Sequence, residues 1–267
     1  ECGAYGELTC PVTGKVSIAK AVELALNNGV DILTGYEIGI PVEKQPETFE
    51  EFYAQILRQL EHIVTCAKDY AAAFESLYPR IHAGLLFSST FPECMEDGKD
   101  IFADFGAKYN NSSINCVGLG TAVDSLLAVK KLVFEDKTMT LNQMNQLMKD
   151  NWAGQEKLRM TVKNKFPKYG MGNAEADRYA AALVKRLAEM INGQPNARGG
   201  KYRLGMFSIN ARWDIGAHLA ATPDGRLAGE STSLNTGASF GADREGAIGQ
   251  ILSVTAIDAV DSPNAVV

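Results

Sequence analysis

Between residues 47 and 78, apolar side chains recur at Phe52, Ile56, Leu60, Ile63, Ala67, Tyr70, Phe74 and Leu77. These are the three- and four-residue steps of an amphipathic helix. Pro79 follows and stops it, since proline has no amide hydrogen and fixes its own φ. A single helix that long, with one apolar stripe, is stable only when the stripe lies on another layer of structure.

The rest of the chain supplies candidates for that layer. Residues 16–28 carry Ile18, Ala21, Val22, Leu24, Ala25 and Leu26 and end at Gly29, a good helix stop. Residues 1–15 and 30–46 read as Gly- and Pro-punctuated loops. Helices are expected over 121–134, 141–164 and 175–191, and short strands over 84–91, 202–210 and 250–257. In the first of these helices a Thr-x-x-Asp pattern places Asp124 as a cap for the helix start. Long helices alternating with short apolar strands indicate the α/β class. No internal repeat or low-complexity tract divides the chain, so residues 1–267 read as one domain.

Composition excludes several functions. Net charge is −6, which gives no electrostatic footprint for nucleic acid or for an anionic membrane. No apolar run reaches the roughly 18 residues that span a bilayer, and no signal peptide opens the sequence. The five cysteines, Cys2, Cys10, Cys66, Cys94 and Cys116, have no C-x-x-C spacing. That argues against a zinc site or disulfide framework and suits a reducing cytoplasm, with most thiols acting as small buried apolar groups. His62 and His82 read as surface or capping residues. Gly118-Leu-Gly120 lacks a third glycine and any expected strand before it, so it is not taken as a dinucleotide fingerprint. Thr222-Pro-Asp-Gly-Arg226 reads as a rigid turn, with Pro setting φ, Gly adopting φ > 0 and Arg226 free to pair with a carboxylate.

That turn also belongs to an ordered set of segments. They are Lys20–Gly29; Phe105-Gly-Ala-Lys-Tyr-Asn110; the Asp124-Ser125-Leu126 helix continuing to Lys137; and Thr222–Glu230 followed by 237–246 and 253–258. In this order they resemble the glycyl radical enzymes, the pyruvate formate-lyase family, and most closely its dehydratase-like branch, including hydroxyproline-dehydratase-like members. Phe105 stands where that branch has glycine, and Met171-Gly172 interrupts its Lys-Tyr-Gly-Asn-Asp pattern.

The resemblance implies a fold that is part of a ten-stranded β/α barrel, without the family's C-terminal glycine radical domain, since no Arg-Val-x-Gly-Tyr loop occurs. Both ends then read as internal to a longer polypeptide. Glu1 aligns with the glutamate two residues after the radical cysteine, which implies a general base. Cys2 is the alternative thiyl carrier. Lys15 stands where the family keeps a basic residue near the substrate carboxylate, and Trp213, with its neighbours 209–212, falls on a pocket-lining stretch. The implied reaction is radical elimination of water or an amine from a small hydroxylated substrate. The alternatives are formate C-acetyltransferase and a non-catalytic truncated module. No bound cofactor is implied. The glycyl radical would sit on a glycine outside this chain, installed by a radical S-adenosylmethionine activase, and the enzyme would be a homodimer.

Overall fold

The computed structural model describes residues 7–81, 83–208, 210–262 and 264–265, the last two by backbone only. The helices begin where local chemistry starts them. Helix α1 (Ile18–Leu26) is capped by Ser17, whose hydroxyl accepts from Lys20 N at 3.2 Å. Helix α2 (Phe49–Glu75) opens with a full capping box between Thr48 and Glu51. Phe52, Ile56 and Leu60 of its stripe are buried, each contributing about 1.5–3 kcal/mol. The stripe then changes face. Val64 and Ala71 turn inward, while Tyr70, Phe74 and Leu77 are exposed, with the Tyr70 and Phe74 rings stacked on each other.

Three short helices follow: α3 (Tyr78–Ile81), α4 (Leu85–Ser88) and α5 (Pro92–Asp97). The strand expected over 84–91 is therefore helical; its apolar residues Leu85, Leu86 and Phe87 are exposed and do not enter a sheet. Helix α6 (Leu119–Val129) runs into a π-helical segment over Lys130–Glu135. One long helix was expected over 141–164, but there are two, α7 (Leu141–Lys149) and α8 (Glu156–Lys165). They are split where Asn151, Trp152 and Gly154 adopt φ of 51°, 61° and 70°, which ends a right-handed helix. Helix α9 (Ala174–Ile191) is capped by Asn173. Helices α10 (Ala211–Ala217) and α11 (Gly246–Thr255) complete the set; α11 replaces the strand expected over 250–257.

Six strands are described: β1 (Leu8–Thr9), β2 (Val12–Ser17), β3 (Tyr109–Asn110), β4 (Ser112–Val117), β5 (Tyr202–Met206) and β6 (Asn264–Ala265). Strands β1 and β3 form a small parallel pair, and β2-β4-β5-β6 form a sheet that is parallel throughout. Much of the stretch expected to be an N-terminal loop is thus strand. Strand β4 was not among the strands expected from the sequence, and it directly precedes Gly118.

The sheet's alternation sorts its residues by face. Val16, Ile114, Cys116, Tyr202, Leu204 and Met206 join one core cluster with Phe52, Ile56 and Leu60 of α2, Leu126 of α6 and Leu183 of α9. Parallel sheets are usually covered by helices. Here that cover lies on the face carrying the apolar residues. Thr13, Lys15, Ser113, Asn115 and Arg203 alternate with them and point the other way. Among the described residues no helix is long and apolar enough to cross a membrane.

Candidate active site on the polar face of the sheet

The polar face is laid out by register. Lys15 pairs with Asn115 across β2 and β4, and Asn115 with Gly205 across β4 and β5. One rung earlier, Ser113 pairs with Arg203. Adjacent strands stand about 4.8 Å apart, so these five residues occupy one small patch. Ser113 and Asn115 are 1% and 3% exposed; Lys15 is exposed and Arg203 half-buried. The Asn115 Nδ2 donates to the Phe207 carbonyl at 2.9 Å. Its Oδ1 and the Ser113 hydroxyl have no hydrogen-bond partner. Both lean over Gly205. A Cβ there would lie 1.8 Å from Asn115 Oδ1 and 2.7 Å from Ser113 Oγ, so any other residue would displace both side-chain ends.

Beyond the strand ends, a second polar group is built around α6. Asp124 is not a cap. It lies in the middle of α6, completely buried, and its Oδ1 accepts from Tyr169 N at 2.8 Å. Burial pushes its carboxyl up to about 6, against the pull of Lys168. The Thr222–Arg226 turn sits beside this pair. Thr222 Oγ1 donates to Asp224 Oδ1 at 2.5 Å, and Lys168 Nζ donates to the Asp224 carbonyl at 3.2 Å. Arg226 does not pair with a carboxylate. Its guanidinium donates to the carbonyls of Leu227 (2.8 Å), Glu230 (2.6 Å), Leu219 (3.2 Å) and Ala220. The same backbone is tied to α1, because Ala220 N donates to Glu23, which also takes Lys20.

The sequence-derived site residues fall in separate places. Glu1 and Cys2 lie outside the described residues, as do His82 and Ile209. Lys15 is on the polar face of β2. Trp213, on α10, is 55% exposed and packs under the Arg212 guanidinium, 4.8 Å from its ring centre. It lines a cleft of about 330 Å³ together with Lys168, Asp224, Arg226, Ser239 and Phe240. Lys15 does not line that cleft.

Sequence reasoning missed Ser113, Asn115 and Arg203, because β4 itself was not legible. The signal available was the glycine spacing, since Gly205 marks a close approach on the facing strand. Of the cysteines, Cys10, Cys94 and Cys116 are buried and Cys66 is exposed, with its Sγ 3.7 Å from His62 Nε2. Among the described residues no group of three or more His, Cys, Asp or Glu could hold a metal ion.

Comparison with known proteins identifies the family and the fold. Residues 1–216 match the family model described as pyruvate formate lyase-like. The chain is 30% identical over 260 residues to trans-4-hydroxy-L-proline dehydratase of Clostridioides difficile, covering 97% of this chain and 33% of that protein. It is 30% identical over 225 residues to (2S)-3-sulfopropanediol dehydratase of Klebsiella oxytoca, covering 83% of this chain and 27% of that one. Among solved structures, a glycyl radical enzyme from Archaeoglobus fulgidus superposes with a TM-score of 0.86 at 30% identity, covering 94% of this chain and 32% of its own. The C. difficile hydroxyproline dehydratase with trans-4-hydroxy-L-proline bound also superposes at 0.86, with 29% identity, 95% of this chain and 33% of its own. The chain therefore spans about a third of the length of the relatives it matches. Sequence, fold and these likenesses agree that the chain belongs to the pyruvate formate lyase-like family, among the glycyl radical enzymes of the dehydratase type.

Proposed function

We propose that this chain forms part of the ten-stranded β/α barrel of a glycyl radical dehydratase or lyase. The enzyme eliminates water, or an amine, from a small hydroxylated substrate. The observation that carries the reading is the division of the parallel sheet. Its apolar face packs on helices, and its other face holds Lys15, Ser113, Asn115 and Arg203 in register. Two of those residues are buried polar side chains, which a packed apolar core would exclude and a site for a polar molecule would use.

In this reading a cysteine thiyl radical takes a hydrogen atom from the carbon bearing the hydroxyl. Glu1 accepts the hydroxyl proton, the neighbouring leaving group departs as water or amine with that proton returned to it, and the thiol returns the hydrogen atom to the product radical. Lys15 holds an acidic group of the substrate as a point charge. The relatives named for hydroxyproline and sulfopropanediol support a substrate carrying both a hydroxyl and an acidic group. The glycyl radical resides on a glycine outside this sequence, installed by a radical S-adenosylmethionine activase, and a second copy of the enzyme completes a homodimer in the cytoplasm.

The test is anaerobic activation of the native polypeptide that carries this sequence. The expected result is a mass several times 28.8 kDa, a glycyl radical signal by electron paramagnetic resonance, and loss of water or amine from a hydroxylated substrate. A native mass of 28.8 kDa with no radical signal would leave a binding module in place of an enzyme.

A further inference from the structure

Arg198 is a cation with only 2% of its surface exposed. It lies in the short loop between α9 and β5, which the Pro195–Lys201 bridge closes. Asn196 shapes that loop. Its Oδ1 accepts from Arg198 N at 3.1 Å and from Gly200 N at 2.7 Å. Its Nδ2 donates to the Asn110 carbonyl and to Ser112 Oγ, both at 2.7 Å. Gly200 approaches so closely that a Cβ would stand 2.0 Å from the Asn110 carbonyl oxygen. The loop is thus pressed onto the junction of β3 and β4, and the Arg198 side chain reaches β1 from there.

The guanidinium meets three segments. It donates from Nη1 to the Asn111 carbonyl at 2.9 Å and from Nη2 to Thr9 Oγ1 at 2.8 Å. It also lies over the Phe105 ring, 5.8 Å from its centre. Phe105 holds φ of 52°, a left-handed backbone that a bulky residue keeps only when its surroundings impose it. Glu75, completely buried at the end of α2, supplies the opposite charge. Burial pushes its carboxyl up, and Arg198 draws it back. A buried ion of this kind adds little stability over an apolar side chain of similar size. What the planar fork adds is direction, because its donors stand at fixed angles.

The element it directs is β1. That strand has two residues, and among the described residues it pairs with β3 alone. The neighbouring Glu7–Lys108 ion pair lies at the surface and contributes little. Thr9 stands eight positions after Glu1, the general base of the proposed reaction. A misplacement of about 1 Å at a reacting group costs about a hundredfold in rate.

We infer that Arg198 is a positioning residue: through Thr9, 189 positions away, it sets where β1 and the segment leading back to Glu1 are held. This rests on the dehydratase reading above and adds a residue that acts on its base without touching the substrate.

Two measurements on the native polypeptide that carries this sequence test it. In the unactivated protein, Thr9→Val keeps the side-chain volume and removes the hydroxyl. It should speed hydrogen exchange over residues 7–12 tenfold or more, with α2 and α9 unchanged, and Thr9→Ser should restore the native rate. After activation, Thr9→Val should lower kcat at least tenfold with KM within twofold, and Thr9→Ser should stay within threefold of native. Arg198→Met combined with Thr9→Val should be no slower than Arg198→Met alone, within twofold, because both remove the same contact. A clamp that serves stability only would change neither the split between kcat and KM nor this coupling. Native exchange or native kcat in Thr9→Val overturns the inference, whether or not Arg198→Met folds, and so do additive losses in the double variant. An activated native protein without turnover would instead remove the dehydratase reading and the positioning role with it, while exchange over 7–12 still decides whether Arg198 anchors the strand.

Discussion

Lys168 Nζ stands 3.9 Å from Asp124 Oδ2, too far for a hydrogen bond, and spends its short contact on the Asp224 carbonyl at 3.2 Å. Both side chains are buried, so Asp124 is a carboxyl whose charge is only partly compensated. Burial raises its pKa from 3.8 to about 6 despite the nearby ammonium. The folded protein therefore holds this proton more tightly than the unfolded chain does. The resulting stabilisation is full below pH 3.8 and fades as pH rises to about 6. Its ceiling is about 3 kcal/mol at 1.36 kcal/mol per pKa unit. Asp124→Asn keeps the acceptor for Tyr169 N and should flatten this limb of the stability profile. Urea unfolding from pH 4 to 7 measures it, and equal slopes in the two proteins would refute the assignment.

Arg226 is the turn's organiser. Its planar guanidinium gathers four backbone carbonyls from both sides of the turn. Charge-assisted hydrogen bonds are worth about 1.5–3 kcal/mol each but are not additive. Arg226→Ala should cost about 3–5 kcal/mol, the range for a broken buried network. Arg226→Lys should recover little, because a single ammonium cannot span carbonyls that a fork reaches. Thermal unfolding decides this; a lysine variant within 1 kcal/mol of the native protein would show that charge, and not geometry, is what counts.

The Lys20 ammonium lies between two carboxylates, at 2.9 Å from Glu23 and 2.5 Å from Asp31. Although burial alone would raise Asp31, the Lys20 hydrogen bond holds it well below the usual carboxylate range. Its stabilisation is present above pH 3.8 and is lost as pH falls below that value, opposite in sign to Asp124. Lys20→Met leaves both acids without their cation and should cost about 3–5 kcal/mol at pH 7. The loss should shrink as the medium is acidified toward pH 4, where Glu23, its pKa raised by burial, takes up a proton. A loss that does not vary with pH would contradict the linkage.

Gly216 of α10 faces the backbone of the turn, where a Cβ would sit 2.2 Å from the Glu230 carbonyl oxygen. Backbone cannot yield as a flexible side chain does, so Gly216→Ala should push α10 off the turn and cost about 1–3 kcal/mol, typical of overpacking. Hydrogen exchange would show faster exchange over 211–231, with α2 unaffected. Unchanged exchange in that segment would mean the helix accommodates the methyl group.

Lys15 is exposed, and removing it should leave stability within about 0.5 kcal/mol. On the proposed reaction, Lys15→Met should raise KM for an acidic hydroxylated substrate about tenfold, the loss of one charged contact of about 1.4 kcal/mol. A native KM would remove Lys15 from the substrate site.

What could be read from the sequence follows from how local each signal is. Helices α1, α2 and α9 carry apolar steps that repeat over several turns, and their positions were legible to within a few residues. Strand β4 was not. Ser112-Ser-Ile-Asn-Cys-Val117 is buried along its whole length, yet half of it is polar, and the polar residues lie on both faces, Ser112 toward Glu75 of α2 and Ser113 and Asn115 away from it. The run at 84–91 misled in the opposite way, being apolar but exposed. The same mixture hid the polar face of the sheet. Ser113 and Asn115 gain meaning only from Gly205, about ninety positions later, whereas Lys15 was accessible through family resemblance alone.

The all-parallel sheet also has a temporal consequence. Thr13 and Ser113 meet across 100 positions, and Asn115 and Phe207 across 92. At synthesis rates of about 5–20 residues per second, β2 waits roughly 5–20 s for β4 to emerge, and β4 nearly as long for β5. Helices, which close within microseconds, are complete throughout that interval, while strand edges stand open. The order in which this protein is made thus favours a helical scaffold first and a sheet assembled strand by strand upon it, with the polar face of the sheet among the last features to form.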